Sequence, residues 1–394
     1  MLDPDTLEDL GVIVGSIYSE LEAEMCDILV RAILDNDIGY WKSQAALAML
    51  AQAQAPQLRM VLERYKPRIS KAVRREVEEA LRRSDDNDIE RLQDALGYEI
   101  PRISTVQITM AAQKIGEMLE RDNLDLLTGA RQVLYREVTT AIAQVTGGLK
   151  SPHEAMWAAT RRLARHGIDV VQYKDPTTGE KTVKNKVDVA VRRHIRSQMA
   201  QAAAERTMQV CDECQCGFVE VSSHTGARPS HQDWEGRVYS LNGRVTVDGV
   251  TYEDFGEATG YYGEGDHGAL GDRLQGVNCR HHFGPWLPGM PRAFHPNPKH
   301  PSGKSNEEIY KLTQKQRTLE RALRDTKREL MAALENYGKF PNDKTRDAAN
   351  ELKAQLKSQN DKMKALLEQN KGILTRQPAR EWVGNMPRVN VPAS

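Results

Sequence analysis

The sequence predicts an α+β fold with a mainly helical N-terminal region, a small central mixed α/β module and a long antiparallel helical pair toward the C-terminal end. Three observations carry this. Apolar residues recur at alternating three- and four-residue steps through the N-terminal part. A middle stretch dense in glycine, aromatics and histidine holds short β-like runs, and heptad spacing returns from Ile309 onward. The expected division is residues 1–150 (helical, partner docking), 151–300 (α+β module), 301–376 (helical hairpin, coiled-coil-like) and 377–394 (flexible or docking tail).

Taken in order, Leu7, Leu10, Val14, Ile17, Leu21, Met25 and Ile28 form one apolar stripe, which predicts a single helix from Thr6. Further helices are expected from Lys42 to Tyr65, Arg68 to Leu96 and Thr105 to Glu120, with breaks at Lys66-Pro67 and Gly97-Tyr98. Ser151-Pro152-His153-Glu154 carries a capping serine, proline at the first helical position and glutamate at the third, so a helix starts there and stops at His166-Gly167. Asp169 to Tyr173 and Lys181 to Lys184 flank Asp175-Pro176-Thr177-Thr178-Gly179, an exposed hairpin. A long helix follows from Lys186 to Val210, then a strand over Gly217 to Ser223, with tight turns at Asn242-Gly243 and Asp248-Gly249. Ile309, Leu312, Gln316, Leu319, Leu323, Thr326, Leu330 and Leu334 hold the heptad, which Leu352, Leu356, Gln359, Met363 and Leu366 resume after a break at Gly338 to Asn342.

Composition excludes several classes. The 394 residues are enough for two or three domains, and 55 basic residues balance 55 acidic ones, so net charge draws the chain to neither DNA nor an anionic membrane. No apolar run is long enough for a membrane anchor, and the acidic start at Met1-Leu2-Asp3-Pro4-Asp5 disfavours a secretory signal. Five cysteines, with Cys211, Cys214 and Cys216 close together, suit a reducing cytosol or a metal rather than a disulfide framework. Gly263-Glu264-Gly265-Asp266-His267-Gly268 has dinucleotide-fingerprint spacing but lacks a preceding buried strand, and Gly303-Lys304-Ser305 lacks the opening glycine of a phosphate loop. Both are set aside.

Chemically able side chains concentrate in Val219 to Tyr239, with His224, Arg228, His231, Trp234 and Gly236, and in Asn278-Cys279-Arg280-His281-His282. Read as residues, the cluster admits three uses. Arg228 and Arg280 could fork onto Asp233 or Asp266 around a small core of Trp234, Tyr239 and Trp286. A zinc ion could be held by His224 and His231 with Cys279 and His281 or His282, or by Cys211, Cys214 and Cys216 with Cys279. A nucleophilic or metal-dependent site is the third use. Arg192, Arg193 and Arg196, with Arg161, Arg162 and Arg165, form local basic runs that meet phosphates or lie on solvated helix faces.

The pair V-S-S-H-T-G-A-R-P-S-H-Q-D-W-E-G (221–236) and N-C-R-H (278–281) resembles the phage minor capsid protein 2 family, related to Mu F-type head morphogenesis proteins. The resemblance is strongest from about Val187 to Gly289, where Arg192-Arg193-His194-Ile195-Arg196 looks like the family's basic entry; the Cys211 to Cys216 run departs from it. It implies a structural protein of the virion rather than an enzyme, without a cofactor. Such a protein assembles in the bacterial cytoplasm and docks in several copies on the portal protein and capsid components, with packaged DNA as a further contact. The rival is an enzyme acting on DNA or cell wall during infection, with His224, His231 and Cys279 at its site.

Overall fold

The computed structural model describes residues 1–36, 44–174, 181–263, 272–276 and 279–392. Among these residues it is mainly helical with three small sheets, an α+β fold. The chain forms two compact units that do not follow chain order. One comprises Met1–Gly11, Lys71–Glu117 and Arg192–Gln314, and the other Val12–Ser70, Met118–Val191 and Lys315–Ser394. The expected cuts near 150, 300 and 376 therefore do not coincide with compact bodies, because several helices run from one unit into the other.

The first apolar stripe is divided between two helices, α1 (Pro4–Asp9) and α2 (Val12–Leu34). Asp3 caps α1 by accepting from the Thr6 N–H at 2.8 Å, and the chain turns at Gly11, whose φ of 75° is left-handed. A Cβ there would meet the Arg192 carbonyl at 2.9 Å, so the stripe is broken by a close backbone approach that hydrophobic spacing does not register. After α3 (Gln44–Ala53), α4 (Ala55–Leu96) runs straight through Pro67. Proline costs roughly 3 kcal/mol inside a helix, but its ring is on the exposed side here. Leu58, Val61, Leu62, Ile69, Val73, Val77 and Leu81 are buried on both sides of it.

Helix α5 (Thr105–Thr146) continues past the expected end at Glu120. The polar run Arg121-Asp122-Asn123 looks like a terminus, yet Asn123 is buried and accepts from the Tyr18 hydroxyl at 2.8 Å, and Leu126, Ala130, Val133, Leu134, Val138 and Ala141 carry the buried face onward. Helix α6 (Pro152–His166) has the capping box of Ser151 and Glu154 and ends on Gly167. Strands β1 (Asp169–Lys174) and β2 (Lys181–Lys186) pair antiparallel; the turn at 175–180 lies outside the described residues.

Helix α7 (Val187–Glu213) leads to β3 (Phe218–Val221), the centre of a three-stranded antiparallel sheet ordered β4 (Val238–Ser240), β3, β7 (Phe283–Trp286). Between β4 and β7, β5 (Val245–Val247) and β6 (Val250–Tyr252) form a hairpin, followed by the short helix α8 (Phe255–Thr259). Asp248 and Gly249 both have positive φ, 50° and 79°, the tight turn that suits hairpin twist.

Helices α9 (Asn306–Lys339) and α10 (Asp343–Gln369) are the C-terminal pair. Ser305 caps α9: its hydroxyl accepts from the Glu308 N–H at 3.2 Å, and Glu308 accepts from the Ser305 N–H at 2.8 Å, which explains why Lys304-Ser305 mimics a phosphate-loop ending. Leu330, Ala333 and Leu334 pack on Ala349, Leu352 and Val391, as expected for a helix that folds back on its neighbour. The stretch beyond Gln377 is packed rather than loose. Val383 and Val391 are buried, Arg324 donates to the Arg380 carbonyl at 2.9 Å, and Ser19 donates to the Trp382 carbonyl at 2.7 Å.

The second unit is held by charges its sequence does not advertise. Glu22 accepts from the Ile168 N–H at 2.8 Å and pairs with Arg328, both side chains being buried, and Arg324 pairs with buried Asp188 at 2.9 Å. Removing one member of such a pair leaves an uncompensated charge in the interior. Arg328→Met is expected to destabilise this unit by about 3–5 kcal/mol in chemical denaturation. Adding Glu22→Gln, which keeps an acceptor for Ile168, is expected to recover more than half of that loss.

Candidate functional site

Sheet pairing builds the site. Strands β3 and β7 are antiparallel neighbours, with Val221 opposite Phe283, so the chain leaving β3 runs beside the chain entering β7. The Ser222 N–H donates to the His282 carbonyl at 2.8 Å and the His282 N–H donates to the Ser222 hydroxyl at 3.0 Å, which locks the two segments together. Beyond Ser222 a short 3-10 turn, Pro229–His231, aims His231 back at the segment before β7. There the His231 and His281 Nδ1 atoms lie 3.2 Å apart, and the Cys279 Sγ is 3.6 Å from the His281 Nδ1 and 4.0 Å from the His231 Nδ1. All three residues are buried, and among the described residues they are the one group of three such side chains whose ligand atoms converge.

Glu235 orients this group. Its Oε2 accepts from the His224 N–H at 3.4 Å and lies 2.8 Å from the His281 Nε2. Because that oxygen already serves as an acceptor, we assign the His281 proton to Nε2, which leaves the Nδ1 lone pair facing Cys279 and His231. Burial, followed by the positive field of its neighbours, holds His281 well below the usual imidazole range and so neutral. Burial pushes the Glu235 carboxyl up to about 7 and the Cys279 thiol up to about 11.

The other predicted residues take different places. His224 stacks on His281 at 4.5 Å, with its Nδ1 3.0 Å from the Thr225 carbonyl, and burial with the Arg280 charge lowers it to about 3. The ring nitrogens of His282 face the carbonyls of Phe283 (2.8 Å) and Ala200 (3.2 Å), which removes it from the ligand set. Trp234 packs against both His231 and His281, with ring centroids 4.7 and 4.8 Å away, and donates to the Asp272 carbonyl at 3.3 Å. Trp234, Tyr239 and Trp286 are all buried, as a small core requires. Gly236, with φ 65°, admits no side chain, since a Cβ would overlap the His295 carbonyl.

Three expectations need correction. Arg280 does not fork onto Asp233, which is exposed; it pairs with Glu8 at 3.6 Å and donates to the Gly226 carbonyl at 3.4 Å. Asp266 and Asn278 lie outside the described residues, and Arg228 is half-buried. Cys211, Cys214 and Cys216 do not converge on Cys279 as a ligand set; the Cys216 thiol instead points at the carbonyls of Phe218 and Trp286, 3.3 and 3.2 Å away. Arg192, Arg193 and Arg196 form neither a solvated face nor a phosphate patch, because all three are buried, and Arg196 donates to the Glu8 carbonyl at 3.0 Å. Arg161 and Arg162 pair with Glu329 and Glu137. Over residues 192–200 no side chain of α7 is exposed, so its arginines are buried along with its apolar residues, and charge runs alone do not reveal that.

Sequence reasoning missed two carboxylates. Glu235 stands inside the quoted motif, but nothing in its spacing marks it as the partner of His281. Glu220, wholly buried on β3, accepts from Arg91 and Arg292 at 2.8 Å each and from the Ala293 and Phe294 N–H groups at 3.0 Å. A glutamate amid the apolar run of a predicted strand was the available signal.

The fold and this closed hub define a helix-rich α+β protein whose chemistry-bearing side chains are packed inward. The family model described as phage minor capsid protein 2 matches residues 2–368, and the chain belongs to that family. No curated protein and no solved structure matches it. Membership gives the chain a structural role in a phage and places it in the virion. Among the described residues no helix is long and apolar enough to cross a membrane.

Two outcomes test the hub. Trp234→Ala is expected to cost about 3–5 kcal/mol in the unit containing it, read by denaturant midpoint; a loss under about 1 kcal/mol contradicts the buried ring. Glu220 gives the acid response. Burial alone would raise its carboxyl, but the N–H of Phe294, then Arg292, Arg91 and Ala293, outweigh burial and hold it below the ordinary range. A depressed folded-state value means that its contribution is complete above the unfolded-state value of about 4.3 and disappears as pH falls through the folded one. Glu220→Gln is expected to lower stability at neutral pH by about 2 kcal/mol and to flatten the acid limb of the stability–pH curve.

Proposed function

We propose that this minor capsid protein is an assembly component that docks in several copies at the portal vertex and binds without turnover. The observation that carries this reading is the family match over nearly the whole chain. Two features of the structure support it. Met49, Met60, Val106, Met110, Leu124 and Leu149 are large apolar side chains left exposed on or beside helices α3, α4 and α5, the residue type that partner proteins cover. His231, Cys279, His281 and Glu235 are buried, which favours a structural hub over a site that receives DNA or cell wall. The basic runs give contact with packaged DNA little support: Arg192, Arg193 and Arg196 are buried and Arg161 and Arg162 are ion-paired, which leaves Arg165 as the exposed member.

Electron microscopy of purified particles carrying an epitope-tagged copy, decorated with gold-labelled antibody, tests the proposal. Label is expected at one vertex per particle. Label over all vertices, or none after the particles are purified from free protein, overturns portal docking.

A further inference from the structure

From the geometry of His231, Cys279 and His281 we infer a site for one zinc-class divalent cation, ligated by the Nδ1 atoms of both histidines and the Cys279 thiolate, with Glu235 as the positioning residue. Zinc bound at about 2.0–2.1 Å to nitrogen and about 2.3 Å to sulfur, at tetrahedral angles, sets two nitrogens about 3.3 Å apart and nitrogen and sulfur about 3.6 Å apart. The three separations here are 3.2 Å for nitrogen to nitrogen and 3.6 and 4.0 Å for sulfur to nitrogen. Three side chains from two segments joined by sheet pairing therefore hold the face of a tetrahedron.

The surroundings agree with the ligand atoms. Ligating histidines usually donate their second ring N–H to a carboxylate, which fixes the tautomer, and the His281 Nε2 lies 2.8 Å from the Glu235 Oε2. Charge balances as well: the Cys279 thiolate and the Glu235 carboxylate together offset a divalent cation, so Arg228 and Arg280 nearby do not exclude it. Mixed nitrogen and sulfur ligands select zinc over calcium or magnesium, which require oxygen. On binding, Cys279 gives up its S–H proton to solvent and forms the sulfur–metal bond, with no change of oxidation state. Among the described residues no fourth His, Cys, Asp or Glu joins the group.

The site does not depend on portal docking and is tested on the full-length chain. Protein purified from zinc-supplemented cells, or reconstituted with zinc after chelation, is expected to carry one zinc per chain by elemental mass spectrometry. X-ray absorption on the wild-type chain is expected to show one sulfur and two imidazole nitrogens around the metal. Cobalt substitution is expected to give a thiolate charge-transfer band that Cys279→Ser abolishes and Cys216→Ser retains. His231→Ala is expected to weaken zinc binding at least tenfold. Absence of zinc after both preparations, a shell of three or more sulfurs, or full occupancy in Cys279→Ser overturns the inference. The wild-type absorption measurement decides the matter even if a variant fails to fold.

Discussion

The antiparallel pairing of β3 with β7 is the constraint on which the rest of the central region depends. Residues 222–236 and 279–282 are far apart in sequence, and neither is regular enough to hold a shape by itself. The two-way bonding of Ser222 and His282 at the strand ends fixes their register, and everything that follows is placed by it: the 3-10 turn that delivers His231, the stacking of His224 on His281, and Glu235 beneath both. Slipping a strand register by one residue turns every side chain to the opposite face, so a buried cluster of this kind tolerates no slippage.

Around that pairing, burial does most of the electrostatic work. Glu220 is kept ionised on the sheet by two guanidinium groups and two backbone N–H groups, whereas Glu235, with fewer donors, is shifted the other way. Two carboxylates in one small core thus have opposite tendencies, set by how many donors reach them rather than by depth. The same logic explains His224, His281 and His282, which burial holds below the usual imidazole range.

Much of the fold was legible. The capping box at Ser151, the hairpin strands, the Asp248-Gly249 turn and the C-terminal pair all express local chemistry that a short window of sequence contains. The misreadings have one cause, which is tertiary context overriding local signals. Gly11 breaks a good apolar stripe because another backbone comes close, Pro67 fails to break a helix because apolar burial continues past it, and Asn123 looks terminal but is satisfied by Tyr18. At the site the motif pointed to His224, His231, Cys279 and His281, but only packing could show which of them converge. Glu235 was hidden because a partner's identity depends on the fold and not on spacing.

Each compact unit is assembled from three separated stretches of chain. The first unit draws on residues from Met1 to Gln314 and the second on residues from Val12 to Ser394, so neither closes early while the polypeptide emerges from the ribosome. Interleaving also bears on inheritance. Phage genomes exchange segments, and a single crossover anywhere between Val12 and Gln314 would leave both units composed of two parental sequences. Residues 12–314 are therefore expected to travel between genomes together, with junctions inside that stretch poorly tolerated.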